Sequence, residues 1–302
     1  MSRVATCSPG PHRSGRSTIL CPPAPRVTMS DIRFWYHLPA KEGVQYAMDC
    51  ALRAEKVGFD VVSHMDHFLY ISKERGCIPE CWTMLTAVAS RTNLTVSPLV
   101  MCSLFRNPAL LAKMAATLDN LTGGRVYLGI GAGWWEEEFW AYGYEFTSAK
   151  DRVDRTVEAV RIIKRLWTGE RVNFEGDFWT LKDCVLSPVP GAGDGMPIWN
   201  GGSGKRMLRM TGELCDGWIA GGGDPDSFVK SRDVVLKHAA GRDMSFAYCH
   251  YVDEGEGAFE KAREKIEEMN AVGVTNFILV LRPDARNLDL LDSCGDLIKE
   301  FR

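Results

Sequence analysis

From Asp31 onward the sequence alternates between short apolar runs and longer amphipathic stretches, and this alternation restricts the fold more than any other feature. Runs such as DIRFWYHL and FDVVSHM have the length and the β-branched and aromatic content of buried strands. The stretch between them, VQYAMDCALRAEKVG, repeats apolar residues at helical spacing and ends at a glycine. The alternation gives roughly eight such units, which predicts an α/β protein, a TIM-like (βα)8 barrel, because an open doubly wound sheet more often uses five or six strands.

One segment interrupts this alternation. After the long helix that follows the fourth predicted strand, residues Thr168 to Pro197 contain a hairpin pattern that turns at Glu175-Gly176-Asp177. We interpret the segment as an insertion into the barrel. It is either a decoration of the surface or a wall or lid near the barrel mouth, since long connections in compact domains often carry function.

The first 28 residues differ in composition from the rest of the chain. They hold four arginines, many serines and prolines, and no acidic residue, so they are too weakly apolar to pack. We expect residues 1–28 to be a disordered extension or an over-called start, with Met29 as the true first residue. Arginine and serine without acid also fit a transit peptide, whereas the apolar centre of a secretory signal is missing. Residues 29–302 are expected to form a single barrel domain.

Charge and cysteine spacing limit the partners. The formal net charge is -3, and no apolar run approaches the roughly 18 residues of a membrane span, so neither nucleic acid nor a membrane is an expected partner. The ten cysteines are widely and irregularly spaced and form no CxxC pair. In a chain without a secretory signal this pattern predicts reduced, mostly buried thiols and a cytoplasmic protein without a metal site.

A glycine run follows the fourth predicted strand. Gly129, Gly131 and Gly133 are spaced G-x-G-x-G, and Trp134 stands where the dinucleotide fingerprint needs its third glycine. A tryptophan there would block close packing of helix on strand, so a dinucleotide fold is disfavoured. On a barrel these glycines lie at the active-site end of a strand, where they either let a flat ring rest on bare backbone or let a neighbouring segment pack closely.

A second glycine cluster, Gly201-Gly202-Ser203-Gly204, ends a short strand and opens a helix. Free amides, a hydroxyl and the positive end of the helix together favour an anion, and Lys205 and Arg206 would strengthen the site. The alternative is a simple strand–helix turn with a serine cap.

The stretch His64-Met65-Asp66-His67-Phe68 ends the second predicted strand. It is weak as a metal site, because no third element supplies a ligand. His67 is suited to general acid or base chemistry, with Asp66 able to hold nearby polar groups. The alternative is a core histidine whose ring is satisfied by backbone.

Several of these segments resemble the bacterial-luciferase-like superfamily. The similarity lies in RNPALLAKMAATLDNLTGGRVYLGIGAGWWEEEF, RLWTGERVNFEGDFWTL and PIWNGGSGKRMLRMTGELCDGW, and it extends from about Asp31 to Gly223. MDHF resembles the branch that uses coenzyme F-420, a deazaflavin. The resemblance implies one luciferase-like barrel with the cofactor ring at the mouth formed by the C-terminal strand ends.

The resemblance also assigns residues to the cofactor. It implies that Asp66 and His67, at the end of strand two, face the ring and substrate. Pro98 and Leu99 match a strand-three bulge that presses on the ring and often contains a non-prolyl cis peptide. Backbone matching Gly131 and Ala132 lines the ring edge, and backbone matching Gly201, Gly202 and Ser203 holds the phosphate.

One position departs from the family pattern. In the sugar-phosphate dehydrogenases of this branch a glutamate follows the glycine run and acts as an acid, whereas this sequence has Trp134. That activity is therefore not expected. Glu136, Glu137 and Glu138 come later in the chain and are interpreted as the solvated start of a helix.

The function expected from the resemblance is hydride transfer between coenzyme F-420 and a small, largely apolar organic substrate. His67 would donate or accept the matching proton. The apolar walls of the site would be Trp35, Met65, Phe68 and Trp134. The alternatives are an FMN-dependent monooxygenase supplied by a partner flavin or deazaflavin reductase, and a flavin-binding protein without chemistry of its own. Relatives often dimerise, so a homodimer is expected.

Overall fold

The computed structural model describes residues 32–69, 78–191, 195–282 and 286–302. The predicted N-terminal extension, residues 1–28, lies outside the described residues. The described strands, in chain order, are β1 (Arg33–His37), β2 (Val61–His64), β3 (Thr95–Pro98), β4 (Met101–Cys102), β5 (Leu128–Gly131), β6 (Val172–Glu175), β7 (Thr180–Cys184), β8 (Ile198–Asn200), β9 (Gly217–Ala220), β10 (Ser245–Asp253) and β11 (Asn276–Arg282).

The helices alternate with these strands. In chain order they are α1 (Val44–Val57), α2 (Cys81–Ala89), α3 (Pro108–Thr122), α4 (Glu136–Ala141), α5 (Ala149–Leu166), α6 (Lys205–Leu214), α7 (Pro225–His238), α8 (Ala258–Ala271) and α9 (Asn287–Glu300). None of the helices within the described ranges is long and apolar enough to cross a membrane.

All strand pairs of the main sheet are parallel, in the order β3-β2-β1-β11-β10-β9-β8-β5-β4. β3 and β4 are two parts of one barrel strand, interrupted by Leu99 and Val100. The ring closes because both parts contact the fourth barrel strand: β4 pairs with β5, and Val96 of β3 bridges to Val126 just before β5. Eight strands and their helices thus form the predicted (βα)8 barrel.

The ends of α3 show how local sequence sets these elements. The side chain of Asn107 accepts hydrogen bonds from the backbone N–H groups of Ala109 and Leu110 at 2.9 and 3.3 Å, and Pro108 occupies the first turn. Gly123 ends the helix with φ 68°, a conformation that glycine adopts without steric cost. Both boundaries are therefore set by residues at the ends of the helix itself.

The barrel interior is filled by large side chains at its centre. Trp35, Trp199 and Ile278 belong to one buried cluster there, and Trp35 donates from its indole nitrogen to the amide oxygen of Asn276 at 3.1 Å. Trp35 was expected to form a wall of the active site. It lies instead in the packed interior, fully buried, because it points inward from the middle of β1.

The insertion after α5 contains the predicted hairpin, β6 paired with β7 in antiparallel fashion. Its turn is fastened to the middle of α5, where the carboxylate of Glu158 accepts hydrogen bonds from the backbone N–H groups of Asp177 (2.8 Å) and Phe178 (3.2 Å). No described residue of the insertion lines the central cavity. The hairpin is therefore a surface addition to α5, and the expectation of a lid is wrong for the described residues.

Candidate active site

A cavity of about 1220 Å³ opens at the C-terminal ends of the barrel strands. Its floor continues the buried cluster of the barrel interior and consists of apolar side chains: Leu99, Val100, Ile219, Cys249 and Val280. The loops that follow the strands form its sides. An apolar floor with a few polar groups at the sides is typical of a site for a flat organic ligand.

His67 lies at the side of this cavity and is paired with Glu138. The Nδ1 atom of His67 lies 3.0 Å and 3.2 Å from the two carboxylate oxygens of Glu138. The same carboxylate accepts hydrogen bonds from the backbone N–H groups of Phe68 and Leu69, the latter at 3.1 Å. The carboxylate therefore fixes both the ring of His67 and the backbone that follows it.

Glu138 corrects the interpretation of the three consecutive glutamates. Glu136 and Glu137 are exposed, as expected of a solvated helix start, but Glu138 is only 2% exposed. It occupies the third position of α4, from which its side chain points back toward the loop after β2. The sequence signal that separates it from its neighbours is weak: it comes immediately before the buried Phe139.

Asp66 is buried and bound to a residue that the sequence analysis did not identify. Its two carboxylate oxygens accept hydrogen bonds from the guanidinium of Arg106 at 2.8 and 3.0 Å, and one of them also accepts from the backbone N–H of Cys102 at 2.9 Å. Arg106 also contacts Glu80, which caps α2. Burial raises the pKa of Asp66, and Arg106 opposes that increase. Asp66 lines the cavity, yet its oxygens are occupied by the protein.

The strand-three bulge has the form that the resemblance implies. Leu99 and Val100 line the cavity, and the peptide bond between them is cis. Pro98, in contrast, contacts the neighbouring strand: a Cβ atom on Gly129 would lie 2.1 Å from the carbonyl oxygen of Pro98. Of the two residues predicted to contact the ring, only Leu99 lines the cavity.

Three glycines surround the side chain of Val100. A Cβ atom added to Gly129 would lie 3.2 Å from the side chain of Val100, and the same distance would be 2.8 Å for Gly131 and 3.0 Å for Gly201. The glycines at these strand ends therefore make room for the bulge. Gly131 and Gly201 also line the cavity, whereas Ala132 is half-buried against the barrel core.

The loop Gly201-Gly202-Ser203-Gly204 is held in place by Asn200, a buried residue that the sequence analysis missed. The Asn200 side chain donates to the carbonyl of Gly202 and accepts from its N–H, both at 2.9 Å. Ser203 is exposed and does not cap α6, because the N-cap residue of α6 is Gly204 and no side chain forms a capping hydrogen bond. The serine-cap alternative is thus wrong, and the first amides of α6 lie at an exposed end of the loop.

Arg206 does not point to this loop as expected. Its guanidinium forms an ion pair with Asp154 and donates to the carbonyl of Lys150 at 3.3 Å, both on α5. It therefore links two helices.

Two further histidines lie close to His67. His37 lines the cavity at the end of β1, with its Nδ1 atom 3.1 Å from the hydroxyl of Ser63, and His64 places its Nε2 atom 3.1 Å from the carbonyl of Pro79. Burial lowers the pKa of His37 to about 3 and that of His64 to about 4. Both rings are neutral at physiological pH, so they act as hydrogen-bonding groups without charge.

Other side chains predicted as walls are divided between cavity and core. Met65 and Trp134 line the cavity. Phe68 does not, because its ring packs between Phe105 and Tyr142 at centroid distances of 4.5 and 4.4 Å.

In residues 32–69, 78–191, 195–282 and 286–302, no group of three or more His, Cys, Asp or Glu is arranged to hold a metal ion.

Comparison with known proteins gives consistent similarities. The model of the family described as luciferase-like monooxygenase matches residues 25–272. A coenzyme F-420-dependent glucose-6-phosphate dehydrogenase of Amycolatopsis mediterranei is 35% identical over 183 residues, which cover 60% of this chain and 54% of that protein. The enzyme with the same description from Mycobacterium tuberculosis is 32% identical over 224 residues, covering 72% and 66%. The chain thus aligns with between about half and two thirds of the length of these relatives.

Among solved structures, a coenzyme F-420-dependent secondary alcohol dehydrogenase, in complex with an adduct of the coenzyme and acetone, superimposes with a TM-score of 0.79 at 24% identity. The alignment covers 90% of this chain and 99% of that one. At this identity the similarity establishes the barrel fold.

Proposed function

Because the chain belongs to the luciferase-like monooxygenase family, we propose that it is an oxidoreductase that transfers a hydride between coenzyme F-420 and a small, largely apolar alcohol or carbonyl compound. The observation that carries the proposal is the pairing of His67 with a buried carboxylate, 3.0 Å away, at the side of an apolar cavity. Hydride transfer to or from a carbonyl carbon needs a group that moves the matching proton.

The cavity residues fit a flat ring system. Leu99 and Val100 present an apolar surface, and Gly131 and Gly201 line the same cavity without side chains of their own. Cys249 in the floor and Cys102 in the side wall add small apolar surface, because burial raises the pKa of both thiols to about 12. A ring held on this floor would be shielded from water on one face.

The phosphate of the cofactor would bind at the loop from Gly201 to Ser203. Asn200 fixes this loop, and the first amides of α6 follow it directly. Amide groups at the start of a helix favour an anion. When bound, the deazaflavin supplies a carbon atom that accepts or gives a hydride.

His67 is the group of this chain that moves the proton. Glu138 holds Nδ1, which leaves Nε2 as the ring nitrogen for the substrate. In the oxidation of an alcohol the hydroxyl O–H bond breaks and its proton moves to Nε2, while the carbon gives up the hydride. In the reverse direction Nε2 returns the proton to the carbonyl oxygen.

The cofactor choice is tested by titration. Purified protein is titrated with coenzyme F-420 and separately with FMN, and binding is followed by fluorescence. We expect the deazaflavin to bind more tightly. Tight binding of FMN alone would overturn the proposal in favour of the monooxygenase alternative, which requires a reductase partner. Binding of F-420 without turnover of any alcohol or ketone would instead favour a binding protein without chemistry.

The role of His67 is tested by the His67→Ala variant. We expect turnover to fall by roughly 10²–10⁴ if the imidazole acts as a general acid or base. Cofactor affinity should change much less. Unchanged turnover would remove His67 from the mechanism.

We further propose that the protein is a homodimer, as expected from the family resemblance. Size-exclusion chromatography with light scattering tests this directly. A mass of one chain at micromolar concentration would contradict it.

A further inference from the structure

Trp134 lines the cavity and yet is 60% exposed. Burial of the apolar surface of an indole is favourable, so an indole that stays largely exposed to water does not contribute this free energy to folding. The ring of Trp134 lies nearly parallel to that of Trp135, with an interplanar angle of 17° and a centroid distance of 5.9 Å. This neighbour contacts part of the indole and leaves the rest exposed beside the cavity.

Trp134 stands beside the proton-transfer residue. The ring of His67 lies 5.8 Å from the ring of Trp134, edge to face at 78°. Trp134 follows the fourth barrel strand and His67 follows the second, so the strand-three bulge lies between them. A substrate whose reacting oxygen contacts His67 would place an adjoining substituent against the indole.

The lysine and arginine of the cavity lining lie away from Trp134. Among the described lining residues these are Lys41, after the first barrel strand, and Arg282, at the end of the eighth. The eighth strand is opposite the fourth, which Trp134 follows. Arg282 stacks over the ring of Tyr251 at 3.8 Å. Five acidic residues also line the cavity: Asp66 and Glu138, which are bound to Arg106 and His67, and Glu42, Asp253 and Glu254. Among the described residues that line the cavity, positive charges do not outnumber negative ones, which disfavours a phosphate group on the substrate.

We propose that Trp134 is a substrate-stacking residue, and that the preferred substrates are uncharged secondary alcohols or ketones with a planar aromatic or conjugated substituent. This inference rests on the proposed function. The substituent packs on the exposed face of the indole while the hydroxyl or carbonyl oxygen contacts Nε2 of His67. Stacking geometry and buried area then favour aryl over alkyl substrates of similar size.

The test compares Trp134→Ala with Trp140→Ala. Trp140 is a matched control, since it is 64% exposed on the adjacent helix α4 and does not line the cavity. For both variants and the wild type, kcat/KM is measured with 1-phenylethanol, butan-2-ol and glucose 6-phosphate at saturating cofactor, together with the Kd for F-420. We expect W134A to lower kcat/KM for 1-phenylethanol about tenfold, equivalent to about 1.4 kcal/mol, mainly through KM. Its effect on butan-2-ol should be below about threefold, and W140A should resemble the wild type.

An unchanged preference for aryl over alkyl alcohol in W134A would overturn the inference, as would a wild type that prefers glucose 6-phosphate. Weakened F-420 binding with unchanged substrate KM would assign Trp134 to the cofactor instead. An unchanged aryl preference or a weakened F-420 affinity leaves the proposed function standing, whereas a preference for glucose 6-phosphate keeps the hydride transfer with F-420 but overturns its apolar substrate. If the wild type binds no F-420, the proposed function fails, and the stacking residue is still tested by tryptophan fluorescence quenching with acetophenone. Quenching lost in W134A and kept in W140A supports it, and equal quenching in both overturns it.

Discussion

The Nδ1 atom of His67 and the Oε2 atom of Glu138 are 3.0 Å apart, although the two residues are separated by 71 positions in the chain. The carboxylate is almost fully buried, while the imidazole is partly open to the cavity. A buried carboxylate behind a partly exposed histidine fixes which ring nitrogen faces the substrate. It also ties the loop after β2 to α4.

Glu138→Gln should therefore impair catalysis more than cofactor binding. A glutamine keeps the shape but cannot accept hydrogen bonds from His67 and the backbone N–H groups of Phe68 and Leu69 in the same way. Loss of hydrogen bonds to a charged group is worth about 1.5–3 kcal/mol, which corresponds to a fall in kcat of about 10- to 100-fold. Steady-state kinetics and F-420 titration measure the two effects. Glu137→Gln, on the exposed neighbour, is the control, and an equal loss in both variants would contradict the prediction.

The barrel could be predicted from sequence because its strands are short apolar runs with strand periodicity and its helices carry recognisable end signals. Asn107-Pro108 and Gly123 are examples, since each acts within a few residues of the boundary it sets. His67 and the cavity-lining glycines could be located for a similar reason: side chains at the ends of parallel barrel strands meet at one face.

The partners of the site residues could not be predicted in this way. Arg106 lies 40 positions from Asp66, and Glu138 lies 71 positions from His67, so neither pair leaves a local pattern. Composition even misled the interpretation of Glu138, because a run of glutamates at a helix start ordinarily faces water. Trp35 was misplaced because strand alternation shows which residues face inward but not how far along the barrel axis each lies.

Arg106→Ala should destabilise the protein strongly. The variant leaves the carboxylate of Asp66, 1% exposed, without the guanidinium that binds it at 2.8 and 3.0 Å. Breaking a buried ion pair on one side costs about 3–5 kcal/mol. Burial already raises the pKa of Asp66, and loss of Arg106 raises that pKa further. The fold then favours the neutral acid, so the loss of stability is greatest at neutral pH and shrinks as pH falls.

Urea denaturation at pH 7 and pH 4.5 measures this difference in the free energy of unfolding. The double variant Asp66→Asn, Arg106→Ala removes the unpaired charge and should recover part of the stability at pH 7. A loss that is the same at both pH values would contradict the electrostatic explanation.

Gly129→Ala should destabilise the barrel by displacing strand three. The added Cβ would lie 2.1 Å from the carbonyl oxygen of Pro98, which is backbone and can move only with the bulge. Overpacking of a well-packed core typically costs about 1–3 kcal/mol. Gly221→Ala is the matched control, because a Cβ there meets no atom within 4 Å. Thermal unfolding should separate the two variants, and equal melting temperatures would show that the close approach is unimportant.

His37 should make the protein less stable as the pH falls below 6.5. Burial holds its pKa at about 3, so the unfolded chain binds a proton between pH 6.5 and about 3 that the folded chain does not. Stability then falls as pH decreases, by about 1.4 kcal/mol per pH unit for one such group. His37→Asn removes this group and keeps a polar atom near Ser63. The difference in unfolding free energy between wild type and H37N should therefore be constant above pH 7.5. Between pH 6 and pH 4 the unfolding free energy of the wild type should fall, relative to that of H37N, by about 1.4 kcal/mol for each unit of decreasing pH. Parallel curves for the two proteins over that range, measured by urea denaturation, would show that His37 is protonated as readily in the fold as in the unfolded chain.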